Sequence, residues 1–182
     1  MNFGDEATLC FDKLIIGGHS FGGMTALSVA EKDERIKAVF TFDPWLYARN
    51  DDIMNKSLVI SQPNFHVITS GFAPVVKKYF FYDTDESMKN LLAASTSNTK
   101  ELAYLRGCNH YHQTDAICIV PIEVFIKSSN KPQINVCELY LLNTQAILLF
   151  LHRMNLSNSF SYEKLRNHIS KNERKYLEYK VR

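Results

Sequence analysis

The run Leu14-Ile15-Ile16-Gly17-Gly18-His19-Ser20-Phe21-Gly22-Gly23 constrains this chain more than any other stretch. A short apolar segment ended by glycines suits a strand buried on both faces. Directly after it, Met24, Leu27 and Ala30 or Glu31 recur at helical spacing before the sequence turns polar at Lys32-Asp33-Glu34, so a helix runs back over the sheet. The turn between them reads Gly18-x-Ser20-x-Gly22. A serine on so tight a strand-to-helix turn has a strained backbone, and a side chain at either flanking glycine is expected to collide with the neighbouring strand and helix. The strain lifts the serine Oγ clear at a helix N-terminus, where the positive end of the dipole favours a developing oxyanion.

The same periodicity continues along the chain. Ile36–Asp43, Asn64–Ser70 and Glu101–Gly107 read as further strands, each stopped by a polar residue or glycine, and Cys137–Met154 reads as a final helix, apolar around most of its circumference and mostly buried. Strands alternating with helices predict an α/β fold, a mostly parallel sheet flanked by helices. In such sheets the active crevice lies at the carboxyl ends of the strands. Ser20 stands just past the first strand, Asp43 at the end of the second and His110 just past the fourth, so all three fall on one edge.

A serine hydroxyl needs an adjacent base, and that base needs a carboxylate to orient it. Gly-x-Ser-x-Gly in a strand–turn–helix context is the nucleophile elbow of α/β-hydrolases, whose partners follow in the order Ser, Asp, His. Ser20, Asp43 and His110 keep that order, and the Phe21 N–H is the identifiable oxyanion donor. His112, two residues on, offers a second imidazole for the same role.

Charge and cysteine usage narrow the classes. A net charge of +2 over 182 residues argues against a dedicated polyanion binder, so nucleic acid is not expected as a partner. The charge is uneven: residues 155–182 carry seven basic and three acidic side chains, a local +4 that leaves −2 for the rest. Cys10, Cys108, Cys118 and Cys137 are scattered without a Cys-x-x-Cys pair and read as buried thiols, not as a disulfide framework or a thiolate zinc site. The first ten residues lack the apolar core of a secretory signal, and the most apolar late run, Leu139 to Leu151, falls short of the roughly 20 residues a span needs. On that reading the cytoplasm is slightly favoured.

Three segments together carry a resemblance. Gly17–Ser28, Phe40–Tyr47 and Tyr104–Ala116 are similar to the platelet-activating-factor acetylhydrolase family, the calcium-independent group VII phospholipases A2. That family follows its Gly-His-Ser-Phe-Gly-Gly elbow with an aspartate in an Asp-small-Trp segment, matched by Asp43-Pro44-Trp45 at 23 residues past the serine, with Pro44 in the small-residue place. Its histidine lies in Gly-x-x-His-x-x-Gln-Thr-Asp, matched by Gly107 to Asp115, and this register selects His110 over His112. The resemblance covers about Phe11 to His152 and implies an α/β-hydrolase that removes an acetyl or short acyl group from the sn-2 position of a glycerophosphocholine lipid, with no cofactor or metal. It implies that residues 1–154 are the C-terminal part of a catalytic domain whose first strands and second oxyanion donor are missing, as in a truncated product, and that residues 155–182 are a charged extension, either solvated or a helix lined by Tyr162, Leu165, Ile169 and Tyr176. Phe72, Phe80 and Phe81 are candidates for a lipid-facing surface or for core. Two alternatives stand beside the esterase: a non-catalytic remnant that binds lipid or a partner, and a metal site built from Cys108, His110, His112 and Asp115.

Overall fold

The computed structural model describes residues 10–114, 134–156, 167 and 177–181, with backbone alone for 177–181 and Val136. Among the described residues five strands form one sheet in the order of the sequence: β1 (Leu14–His19), β2 (Ile36–Phe42), β3 (Asn64–Thr69), β4 (Lys100–Leu105) and β5 (Leu177–Val181). The first four are parallel. Each step moves one place in the same direction, and right-handed crossovers in such a series put every connecting helix on one face. That face carries α1 (Phe21–Lys32), α2 (Asn50–Met54), α3 (Phe72–Phe80) and α4 (Thr84–Ala94). Met24, Leu27, Ile53, Phe72, Val76, Met88 and Leu91 from these helices pack on Val39, Ile68 and Leu102 of the strands.

Strand residues alternate between faces. Ala38, Phe65, Val67, Ala103 and Leu105 therefore point the other way, onto α5 (Val136–Arg153) through Leu139, Leu142, Ala146, Leu149 and Phe150. Leu141 of α5 is exposed, so the helix buries one side rather than most of its circumference. Its polar groups fasten it to the rest of the fold: the Arg153 guanidinium pairs with the buried Glu101 carboxylate of β4, the Tyr140 hydroxyl donates to Thr114 O at 2.7 Å, and Asn143 Nδ2 donates to Gln113 Oε1.

Two further expectations are corrected. β1 is half-buried rather than buried on both faces, because among the described residues it is the outermost strand and pairs only with β2. Leu177–Val181, at the end of the charged extension, pairs antiparallel with β4, from Glu101 opposite Val181 to Leu105 opposite Leu177. Leu177, Tyr179 and Val181 alternate with Glu178 and Lys180, the two-residue period that suits a strand. Tyr162, Leu165, Ile169 and Tyr176 lie outside the described residues. Of the three described cysteines only Cys108 is buried, and burial pushes its thiol up to about 12; Cys10 and Cys137 are exposed.

A buried polar network ties the middle of the sheet together. Asn64 Nδ2 donates to Gln62 O and Ser95 Oγ, so Asn64 Oδ1 is left to accept from His66 Nε2 at 3.1 Å, and His66 Nδ1 accepts from the Thr41 hydroxyl at 2.8 Å. The His66 ring is neutral in this arrangement, and its complete burial pulls its pKa down from 6.5 to about 4. Because the unfolded chain binds this proton more readily, His66 adds stability that is fully present above pH 6.5 and lost as the pH falls through about 4. The full loss is on the order of 3 kcal/mol. Urea unfolding across that window should show stability dropping as acid is added, with a shallower drop in His66→Gln. His19 and His112, also held down by burial, act in the same direction.

Candidate active site

The parallel strands bring the polar residues of the sequence reading to one edge of the sheet. Ser20 follows β1, Asp43 follows β2 and His110 lies past β4, and the register that sets His19 beside Phe42 places Ser20 next to Asp43 along the edge. Ser20 has φ 56° and ψ −123°, a backbone conformation that L residues avoid, and it caps α1 without a side-chain hydrogen bond to the helix. Its Oγ instead lies 2.9 Å from His110 Nε2. The turn is anchored by the main chain, with Ser20 N–H donating to Phe42 O at 2.9 Å and Trp45 N–H donating to Ser20 O at 2.8 Å.

The glycines that flank Ser20 are not equivalent. A Cβ on Gly18 would sit 2.3 Å from Gly22 O, against backbone that cannot yield, whereas a Cβ on Gly22 would meet nothing within 4 Å. The close approach runs from strand to helix across the turn, so only its strand side needs glycine for space. Gly18→Ala is expected to destabilise by about 3 kcal/mol or more. Gly22→Ala should be neutral or stabilising by about 0.5 kcal/mol, since alanine costs less backbone entropy in a helix. Thermal unfolding of the two variants side by side checks the asymmetry.

Asp43 is fully buried at φ 40°. Thr69, at the end of β3, holds its carboxylate: the Thr69 N–H donates to Oδ1 at 2.6 Å and the Thr69 hydroxyl to Oδ2 at 2.7 Å. Oδ2 also lies 3.3 Å from His110 Nδ1. With Nδ1–H facing the carboxylate, the His110 Nε2 is the acceptor presented to the Ser20 hydroxyl.

Aromatic rings pack around the His110 imidazole. Phe72, the first residue of α3, stacks on it with centroids 4.5 Å apart and planes 15° from parallel, and the His19 ring lies 4.3 Å away, tilted by 35°. Burial and the neighbouring His110 hold His19 below the usual imidazole range, with Asp43 and a hydrogen bond to the His110 backbone opposing them. A neutral His19 puts no competing positive charge beside His110.

The loop that carries His110 is clamped from below. Ser70 N–H donates to Leu105 O and Gly71 N–H to Cys108 O, while Gly107 takes the left-handed φ of 74° that glycine allows. Gly71 and Asn109 are so close that a Cβ on Gly71 would sit 2.7 Å from Asn109 Cβ. His112 is buried and faces inward: its Nδ1 accepts from Asn109 N–H at 2.8 Å, as Asn109 Oδ1 accepts from Tyr111 N–H, a reciprocal cap on the short turn His110–Gln113. That turn therefore aims His110 at Ser20 and His112 into the protein.

Cys108 and His112 do not gather around His110 as the metal alternative requires. Cys108 Sγ contacts Leu105 O, His112 Nδ1 is taken by Asn109, and Asp115 lies outside the described residues. Among the described residues the group of metal-ligating side chains that does converge is His19, Asp43 and His110.

Thr69, Phe72 and His19 are site residues the sequence reading did not single out for these contacts. Thr69 and Phe72 had no local signal beyond their places at the end of β3 and the start of the next helix. His19 sits inside the Gly-x-Ser-x-Gly motif.

The sequence profile of the family described as platelet-activating factor acetylhydrolase, isoform II, matches residues 6–175. Among curated proteins the chain is similar to the platelet-activating factor acetylhydrolase of Cavia porcellus, 35% identical over 67 residues that make up 37% of this chain and 15% of that protein. It is 26% identical to the protein of that name from Bos taurus over 98 residues, 51% of this chain and 21% of the relative, and 27% identical to that of Canis lupus familiaris over 101 residues, 53% and 22%. The matched stretches thus span about a fifth of the length of these relatives.

Proposed function

Since the chain belongs to the platelet-activating factor acetylhydrolase, isoform II, family of phospholipid esterases with the α/β-hydrolase fold, we propose that it is a serine esterase acting on the sn-2 acetyl or short acyl ester of platelet-activating factor and similar glycerophospholipids. The observation that carries the reading is the continuous contact from Ser20 Oγ through His110 to the buried Asp43 carboxylate. Ser20 Oγ attacks the ester carbonyl while His110 Nε2 takes its proton. Asp43, held by Thr69, keeps the Nδ1–H tautomer and stabilises the imidazolium that forms. The Phe21 N–H, at the head of α1, donates to the oxyanion as the tetrahedral intermediate develops. His110 then protonates the departing lyso-lipid oxygen. A water molecule, deprotonated by the same imidazole, attacks the acyl-Ser20 carbonyl, and collapse of that second intermediate releases the carboxylic acid.

In this scheme the Phe21 N–H, not a cation, meets the developing negative charge, so activity is expected to persist in EDTA. The test is hydrolysis of 2-acetyl and 2-palmitoyl glycerophosphocholine by the purified chain with EDTA present. Acetyl release that exceeds palmitoyl release supports the short-acyl reading. Equal release of both would sink it, and the absence of any release from folded protein would sink the esterase itself.

A further inference from the structure

Helix α3 buries Phe72 and Val76 in the core, yet its outward side and the residue after it present Val75, Tyr79, Phe80 and Phe81 to solvent. Phe81 is 92% exposed, more than any other large apolar side chain among the described residues. It also closes the helix in the left-handed conformation, with φ 54° and ψ 35°, a place where glycine or asparagine is favoured and a phenylalanine is strained. The inward side of α3 is filled by Phe72 and Val76. The helix carries Lys77 and Lys78 and no acidic residue; Asp83 takes Lys77 at 2.9 Å, and the Lys78 ammonium lies 5.0 Å from the Tyr79 ring.

The patch is continuous with the site. Phe72, at the start of the same helix, stacks on His110, and Trp45, whose N–H holds Ser20 O, meets Phe72 at 6.4 Å and the edge of Phe80 at 4.8 Å. Nine helical residues span only about 14 Å, so the exposed rings sit close to the catalytic edge. Aromatic rings suit the boundary between headgroups and acyl chains, and a neighbouring lysine suits lipid phosphate.

We propose that the C-terminal end of α3, through Tyr79, Phe80, Phe81 and Lys78, seats this protein on a phospholipid surface and so brings the catalytic edge to its substrate. The inference rests on the esterase reading for its purpose but not for its test. The 182-residue chain, wild type and Phe81→Gly, is sedimented with mixed phosphatidylcholine/phosphatidylserine vesicles, and each is also assayed on the water-soluble ester p-nitrophenyl acetate. Glycine relieves the strain at this position, so Phe81→Gly should fold at least as well as wild type by thermal unfolding. Vesicle binding is expected to weaken about tenfold in Phe81→Gly and further in Phe81→Gly/Tyr79→Ser, with soluble-ester turnover within about twofold of wild type.

Equal vesicle binding by wild type and the double variant would overturn the proposal. So would a wild type that ignores vesicles but forms a concentration-dependent dimer lost in Phe81→Gly, because the rings would then serve a second copy. Vesicle binding lost in the variants of a chain that cleaves no ester would support the docking surface while removing the esterase reading.

Discussion

Ser20→Ala is expected to lower acetyl release from 2-acetyl glycerophosphocholine by on the order of 10⁶-fold, the scale seen when a triad nucleophile is removed. The size follows from what Ser20 does and does not touch. Its Oγ contacts His110 Nε2 and makes no capping bond to α1, so the variant removes the nucleophile and leaves the helix start as it was. Alanine also tolerates φ 56° no worse than serine does. The thermal midpoint should therefore stay near the wild-type value while turnover disappears, which separates loss of chemistry from loss of fold. Residual turnover above about a thousandth of wild type in a folded variant would show that another group carries the attack.

Asp43→Asn should cost about 10⁴-fold in kcat with little change in KM. The buried carboxylate receives the Thr69 N–H on Oδ1 and the Thr69 hydroxyl and His110 on Oδ2. An asparagine that keeps its oxygen toward the Thr69 N–H turns its NH₂ toward His110 Nδ1. The imidazole must then accept at Nδ1 and carry its proton on Nε2, where it faces the Ser20 hydroxyl and cannot take a proton from it. Single-turnover measurement on a chromogenic short-chain ester reads the effect directly, with circular dichroism to check the fold. A loss below about tenfold would mean that the Asp43 carboxylate does not set the His110 tautomer.

The parallel strands were legible from the sequence because each is an apolar run cut off by a glycine or polar residue, and the elbow was legible because its spacing is local. Leu14–His19 and Ile36–Phe42 end within a residue or so of where the pattern breaks. Gly22 misled because a motif is read symmetrically along the chain, whereas space is decided across it: a Cβ on Gly18 would strike the Gly22 backbone, and a Cβ on Gly22 would meet nothing within 4 Å. Thr69 and Phe72 escaped for a related reason. Their value lies in contacts to Asp43 and His110, 26 and 38 residues away, and nothing in Asn64–Ser70 or in the following helix marks them. β5 escaped because the charge of residues 155–182 hid the alternation of its last residues, which becomes decisive only beside the edge of β4. His110 and His112 are chemically alike in sequence. The inward cap between His112 and Asn109 distinguishes them in the fold.

In the proposed esterase His110 makes Ser20 a nucleophile. A fluorophosphonate probe, followed by digestion and mass spectrometry, tests it most directly on wild type and His110→Ala. A single adduct on the Ser20 peptide of wild type, labelled at least about a hundredfold more slowly in His110→Ala, is the predicted result. An adduct on another residue, or equal labelling of Ser20 in both proteins, would contradict it.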